Sequence, residues 1–110
     1  MSSASSKRTG VTAAITGTSA TEVIAAQAAG IRTYITSITV TNSHATVSTL
    51  VEIRDVTTTV MFRGYALAAG GGFAITFPAP LTGTAATAVN AYNITTGSNT
   101  YVCISGFKAP

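Results

Sequence analysis

The chain has 110 residues, of which only 8% are charged, against roughly 25% in an ordinary soluble domain. Three acidic residues, one histidine and one cysteine accompany twenty-one threonines, whereas most enzymes gather several titratable side chains in one pocket. The composition therefore argues against an enzyme. A surface with so few charges is poorly protected against association, so we expect other protein chains to cover much of it; the alternative is a secreted or unusually stable monomer.

The net charge of +3 comes from basic residues that are spread along the chain. They are Lys7, Arg8, Arg32, Arg54, Arg63 and Lys108. Nucleic-acid binders concentrate such residues on one stripe with aromatic side chains between them, so direct binding of nucleic acid is disfavoured, although an acidic protein surface could attract the chain. No apolar stretch has the length of a membrane span or of a signal-peptide core. We therefore expect no membrane partner, and synthesis in a reducing cytoplasm with Cys103 as a buried thiol.

The first ten residues are small and polar, and they predict a flexible N-terminal arm over residues 1–10. The arm is either disordered or ordered against a neighbouring subunit through Lys7 and Arg8. Residues 11–110 then form one domain.

Short β-favouring segments separated by turn signals follow the arm. The first three are residues 11–16, 22–27 and 31–41, and the third is dense in β-branched side chains. Residues 46–54 alternate, with Val51 and Ile53 on a buried face and Glu52 and Arg54 on a largely solvated one.

A further strand is predicted over residues 58–67, and its side chains alternate between two opposite faces. Val60 and Phe62 share one face, and the opposite face carries Met61, Arg63, Tyr65 and Leu67. Large apolar groups beside an arginine are typical of interface cores. The alternative is that this second face belongs to the core, with the arginine reaching out to solvent.

Residues 68–72 predict a glycine-rich loop, and residues 73–77 a strand that Pro78 and Pro80 end. Two last strands, residues 86–94 and 100–107, are joined by a hairpin-type loop. About eight short strands without a helix predict an all-β fold, a single antiparallel β-sandwich of jelly-roll or Greek-key type. A closed barrel is the alternative.

No group of residues predicts a catalytic, cofactor-binding or metal site. His44 stands alone in a turn-like segment, so no Ser-His-Asp arrangement is specified. Glu52 and Asp55 lie close in sequence with Arg54 between them, and we expect a solvated strand end. Gly70 to Gly72 precede a strand and lack the lysine of a phosphate-binding loop.

Two segments are similar to small virion proteins of tailed bacteriophages: residues 73–90, FAITFPAPLTGTAATAVN, and residues 101–108, YVCISGFK. The resemblance extends over residues 22–108. It implies a β-sandwich that assembles as a homotrimer, is made in the host cytoplasm and is located on the capsid surface of the virion. The implied role is that of a capsid decoration (cement) protein, which binds the major capsid protein and stabilises the shell.

A tail or fibre component is the alternative that the resemblance leaves open. A phage carbohydrate-binding module is another, although the chain has no Trp and its tyrosines would have to supply the aromatic platform. The predicted contacts with a partner or a second copy are Lys7, Arg8, Arg54, Met61, Arg63, Tyr65 and Leu67.

Overall fold

The computed structural model describes residues 7–110, and its eight β-strands form two four-stranded antiparallel sheets. The strands are β1 Lys7–Val11, β2 Thr21–Ile24, β3 Arg32–Asn42, β4 Thr49–Asp55, β5 Thr59–Ala66, β6 Gly72–Thr82, β7 Val89–Asn93 and β8 Thr100–Ala109. Sheet A has the order β1-β8-β3-β6 and sheet B the order β2-β7-β4-β5. The predicted all-β sandwich is confirmed, and this strand order is that of a jelly roll.

The core lies between the two sheets and is built from aliphatic side chains at alternate strand positions. Ile38 and Val40 of β3 and Val51 and Ile53 of β4 belong to one buried cluster, and all four are at most 1% exposed. The other buried apolar residues are Ile15, Ile24, Ile35, Ala66, Val89, Ala91, Val102 and Ile104. β-Branched residues suit a pleated, half-buried surface, which explains why a sequence so rich in Thr, Val and Ile forms strands throughout.

Strand β1 begins inside the segment for which the sequence predicted a flexible arm. Residues 7–10 pair with β8, Arg8 opposite Gly106 and Gly10 opposite Ile104, and residues 1–6 of the predicted arm lie outside the described residues. The predicted strand over residues 11–16 is reduced to Val11 and an isolated bridge between Ile15 and Thr100. Gly10 allows this arrangement because a Cβ there would lie 2.0 Å from the carbonyl oxygen of Val23.

Strand β6 continues through Pro78 and Pro80, where the sequence predicted that it would end. β6 is an edge strand of sheet A, so a proline there need not donate a ladder hydrogen bond. The register with β3 also shifts between Ile35 and Ser37, which face Leu81 and Thr76 respectively. The extra residues of β6 form a bulge that accommodates both prolines.

Two buried asparagines fasten the loops at one end of the sandwich. The Nδ2 of Asn42 donates to the carbonyl oxygens of Val47 and Ala66, and its Oδ1 accepts from the N–H groups of His44 and Asn99. Asn93 is likewise satisfied by its neighbours in the interior. Buried amides with every partner in place fix loop positions without an unsatisfied polar group.

No helix in residues 7–110 has the length and apolar character needed to span a bilayer.

Candidate protein-binding face of sheet B

The outer face of sheet B brings charged and aromatic side chains from three strands into one row. Glu52 stands in the middle of β4, opposite Arg63 of β5 on one side and Tyr92 of β7 on the other. Arg54 follows two residues later on the same face of β4, since successive side chains of a strand alternate between faces. The antiparallel register therefore assembles a cluster from positions far apart in sequence.

Glu52 is the centre of this cluster and is held by both arginines. Nε and Nη2 of Arg54 donate to its Oε1 at 2.9 and 2.5 Å, and Nε of Arg63 donates to its Oε2 at 2.7 Å. These charge-assisted bonds, from Arg63 first and then Arg54, hold the pKa of Glu52 below its ordinary value of 4.5. The carboxylate side chain is only 7% exposed, so the prediction of a solvated strand end is wrong at this residue.

Arg54 is held by three of its five N–H groups, and its side chain is 25% exposed. Its guanidinium carbon lies 3.9 Å from the centroid of the Tyr92 ring, a cation–π geometry. Its Nη1 donates to the carbonyl oxygen of Thr57 at 2.9 Å. The hydrogen bonds that Arg54 donates to Glu52 raise the pKa of Arg54 above its ordinary value, so the side chain stays charged. Arg54 thus acts as a rigid support for its neighbours.

Arg63 differs from Arg54 because its terminal nitrogens remain available. Within residues 7–110 only its Nε makes a hydrogen bond, to Glu52, and its side chain is 59% exposed. The ion pair with Glu52 orients the guanidinium, while Nη1 and Nη2 make no hydrogen bond within residues 7–110 and their outer N–H groups form the end of the planar fork. An arginine held in this way loses less conformational freedom on binding a partner than a free one.

An apolar row lies next to the charged cluster. Tyr65 of β5 is opposite Leu50 of β4, and the N–H of Ile94, directly after β7, donates to the carbonyl oxygen of Leu50 at 3.0 Å. Tyr65 is 61% exposed and Ile94 is 48% exposed. We call the surface formed by Leu50, Arg63, Tyr65 and Ile94 the Arg63 face. Leu67, one residue after β5, is also 61% exposed.

The predicted contact residues do not all lie on this face. Met61 packs against the core, so its predicted place beside Arg63 and Tyr65 is wrong. The reason is a register shift near the start of β5, where Ile53 pairs with Phe62 but Arg54 pairs with Val60, leaving one residue extra. The alternative that the whole Met61 face is core is also wrong, because Arg63, Tyr65 and Leu67 are exposed.

Lys7 and Arg8 lie on the other sheet. Both belong to β1 at the edge of sheet A, whereas Arg54 and Arg63 belong to sheet B. Lys7 is exposed, and Arg8 is half-buried with its Nε lacking a partner among the described residues. The structure therefore divides the predicted contacts between two sheets.

Asp55 and His44 have structural roles that the sequence did not predict. Asp55 is 7% exposed and accepts hydrogen bonds from the N–H and hydroxyl of Thr84 and from the hydroxyl of Thr87. It thereby organises the loop between β6 and β7, and the predicted solvated position is wrong here too. His44 accepts the N–H groups of residues 46 and 47 at Nδ1. In the described part of the chain no three His, Cys, Asp or Glu side chains are grouped to hold a metal ion.

Tyr92 and Ile94 were missed by the sequence analysis. Their contribution depends on which strand lies beside β4, and β7 follows β4 by more than thirty residues in the chain. The alternation within residues 86–94 was visible, but no local signal gives the register between distant strands.

No protein-family model, no curated protein and no solved structure matches this chain.

Proposed function

We propose that this chain is a structural virion protein that decorates the outer surface of a tailed-phage head as a homotrimer and stabilises the shell. The observation that carries the proposal is the Arg63 face, a rigid surface on a β-sheet where an oriented arginine adjoins exposed apolar side chains. Arginine and tyrosine are the residues most enriched among binding hot spots. A cement protein works by adding binding free energy across subunit boundaries, for which such a surface suffices.

The hydrogen bonds of Glu52, Asp55 and His44 support a binding role. Glu52 accepts hydrogen bonds from two arginines. Asp55 accepts them from the loop between β6 and β7, and His44 accepts one from its own turn. A general acid or base must be able to reach a substrate proton, and these groups are committed to partners within the chain. The jelly-roll fold occurs in viral coat proteins and in lectins, and this analogy concerns the fold alone.

The experiment is to mix the purified chain with heads assembled from the major capsid protein of the phage that encodes it. We expect light scattering to give the mass of a trimer, and the chain to sediment with the heads. Electron microscopy of the complex should place it on the outer surface, and decorated heads should withstand heating that opens bare heads. A monomer that does not sediment with heads would overturn the proposed role, and density on the tail would favour the tail or fibre component.

A carbohydrate-binding role is the second candidate, favoured by one observation. Tyr65 and Tyr101 are 61% and 43% exposed, and exposed aromatic rings can stack on sugars. The two rings belong to different sheets, since Tyr65 lies on β5 and Tyr101 on β8. A glycan array probed with the labelled trimer tests this role, and binding of one glycan that Tyr65→Ala abolishes would support it over decoration.

A further inference from the structure

We infer that the Arg63 face binds a carboxylate-bearing surface of a different protein, not a second copy of this chain, with the free Nη1 and Nη2 of Arg63 holding the carboxylate. The inference rests on the proposed function and specifies its partner: the major capsid protein presents an Asp or Glu to this face.

The first step is the charge of the cluster. The single carboxylate of Glu52 is shared by the guanidiniums of Arg54 and Arg63, so the cluster keeps one net positive charge. Arg54 is largely occupied, because three of its five N–H groups donate to Glu52 and Thr57 and its guanidinium lies over the Tyr92 ring, and its side chain is 25% exposed against 59% for Arg63. The uncompensated charge is therefore presented by Arg63, whose planar fork matches the two oxygens of a carboxylate.

The second step excludes a copy of the same chain as the partner. The sequence has three acidic side chains, and two of them, Glu52 and Asp55, are buried and hydrogen-bonded within the chain. Glu22 is the one exposed side-chain carboxylate that a second copy could offer. Each copy therefore has a single exposed acidic side chain to offer, on the edge strand β2 of sheet B, and we assign the carboxylate that Arg63 holds to another protein.

The third step excludes a phosphate polymer. Nucleic acid binding gains its affinity from many phosphate contacts, roughly six to ten in a typical complex. The Arg63 face has one free cationic fork, and Lys7 and Arg8 lie on the other sheet. The neighbours of Arg63 on the face are apolar: Leu50, Tyr65 and Ile94. They fit an aliphatic protein surface around the carboxylate and would exclude water from the ion pair, which strengthens it.

The test measures binding of three variants to the same heads. Arg63→Gln removes the charge and Arg63→Lys keeps the charge but removes the fork, so we expect both to weaken binding, the first by at least about tenfold, as for a binding hot spot. Tyr65→Ala should also weaken binding, and it leaves the ion pair with Glu52 in place. Lys108→Gln is the matched control, because it removes one positive charge from β8 of sheet A, and we expect unchanged affinity.

A photo-crosslinking amino acid at position 65 identifies the partner directly. We expect a crosslink to a peptide of the major capsid protein that contains Asp or Glu, and replacement of that acid by Arg should restore binding of the Arg63→Glu variant. The mass of the trimer should be unchanged in every variant. A crosslink to a second copy, or equal affinity of Arg63→Gln, Tyr65→Ala and the unmodified chain, would overturn the inference while leaving the decoration role intact. Absence of binding by the unmodified chain would overturn both.

Discussion

The side of the sandwich where β5 meets β6 is closed by aromatic rings that leave no room for a methyl group at Gly64. Phe73 packs against Phe62 with ring centroids 5.7 Å apart, and Phe62 packs edge-on against Phe77 at 5.6 Å. A Cβ at Gly64 would lie 2.4 Å from two carbons of the Phe73 ring. We predict that Gly64→Ala destabilises the protein.

The magnitude follows from this distance. Carbon atoms pack at roughly 3.5–4.0 Å, so the Phe73 ring must move by about 1 Å and disturb its contact with Phe62. Overpacking of this kind costs about 1–3 kcal/mol. For a domain of this size each kcal/mol lowers the melting temperature by about 4 °C. We therefore expect a decrease of roughly 4–12 °C.

Urea and thermal unfolding followed by circular dichroism measure this change. Gly17→Ala is the matched control, because nothing lies within 4 Å of its added Cβ, and we expect it to be neutral or slightly stabilising. Phe73→Leu should relieve the clash, so the double variant with Gly64→Ala should be less destabilised than the sum of the single variants. Equal stability of Gly64→Ala and the unmodified chain would refute the argument.

Three other changes test the polar cluster, the buried loop anchor and the first strand. Glu52→Gln should lower the free energy of unfolding at pH 7, and the deficit should shrink as the pH falls below about 4.5, because the lowered pKa of Glu52 gives a stabilisation that protonation removes. Asp55→Asn should cost on the order of 3 kcal/mol, since an amide nitrogen cannot accept the donors around it. Gly10→Ala should speed amide exchange in β1, because the new Cβ would lie 2.0 Å from the Val23 carbonyl oxygen.

A common control and separate readouts accompany these three changes. Glu22→Gln removes the same charge as the other acid substitutions from an exposed position, so we expect a change within about 0.5 kcal/mol at every pH. A deficit of Glu52→Gln that is as large at pH 3 as at pH 7 would contradict the role of its ionised form. Hydrogen exchange by mass spectrometry should show faster exchange for Gly10→Ala in residues 7–11 and less change in β4.

The all-β fold could be predicted from sequence because its signals are local. Alternation in residues 46–54 and the β-branched run in residues 31–41 determine strands without reference to their neighbours. Strand β1 could not be predicted in this way, since Lys7 to Gly10 carry no apolar alternation and form a strand because β8 lies beside them. The continuation of β6 past Pro78 likewise depends on its place at the edge of the sheet.

The candidate face was predicted only in part, because alternation within β5 is a local signal whereas the pairing of β5 with other strands is not. Arg63, Tyr65 and Leu67 alternate along one segment, so their common face could be predicted, whereas their exposure was left open and is shown by the structure. Met61 was misplaced because a bulge near the start of β5 changes the alternation, and bulges leave little trace in a single sequence. The burial of Glu52 could not be inferred either, since it requires the cross-strand partner Arg63, eleven residues away.

The place of β8 in the middle of sheet A affects how the protein is made. β8 lies between β1 and β3, so a ribosome must release residues 100–109 before sheet A can close. Until then β3 can pair only with β6, and the core lacks Val102 and Ile104 of β8. Pairings between strands so distant in sequence form slowly, and uncovered apolar strands invite aggregation. We expect sheet A to close only after residues 100–109 have left the ribosome, so slow synthesis at low temperature should give more native protein than fast synthesis at high temperature.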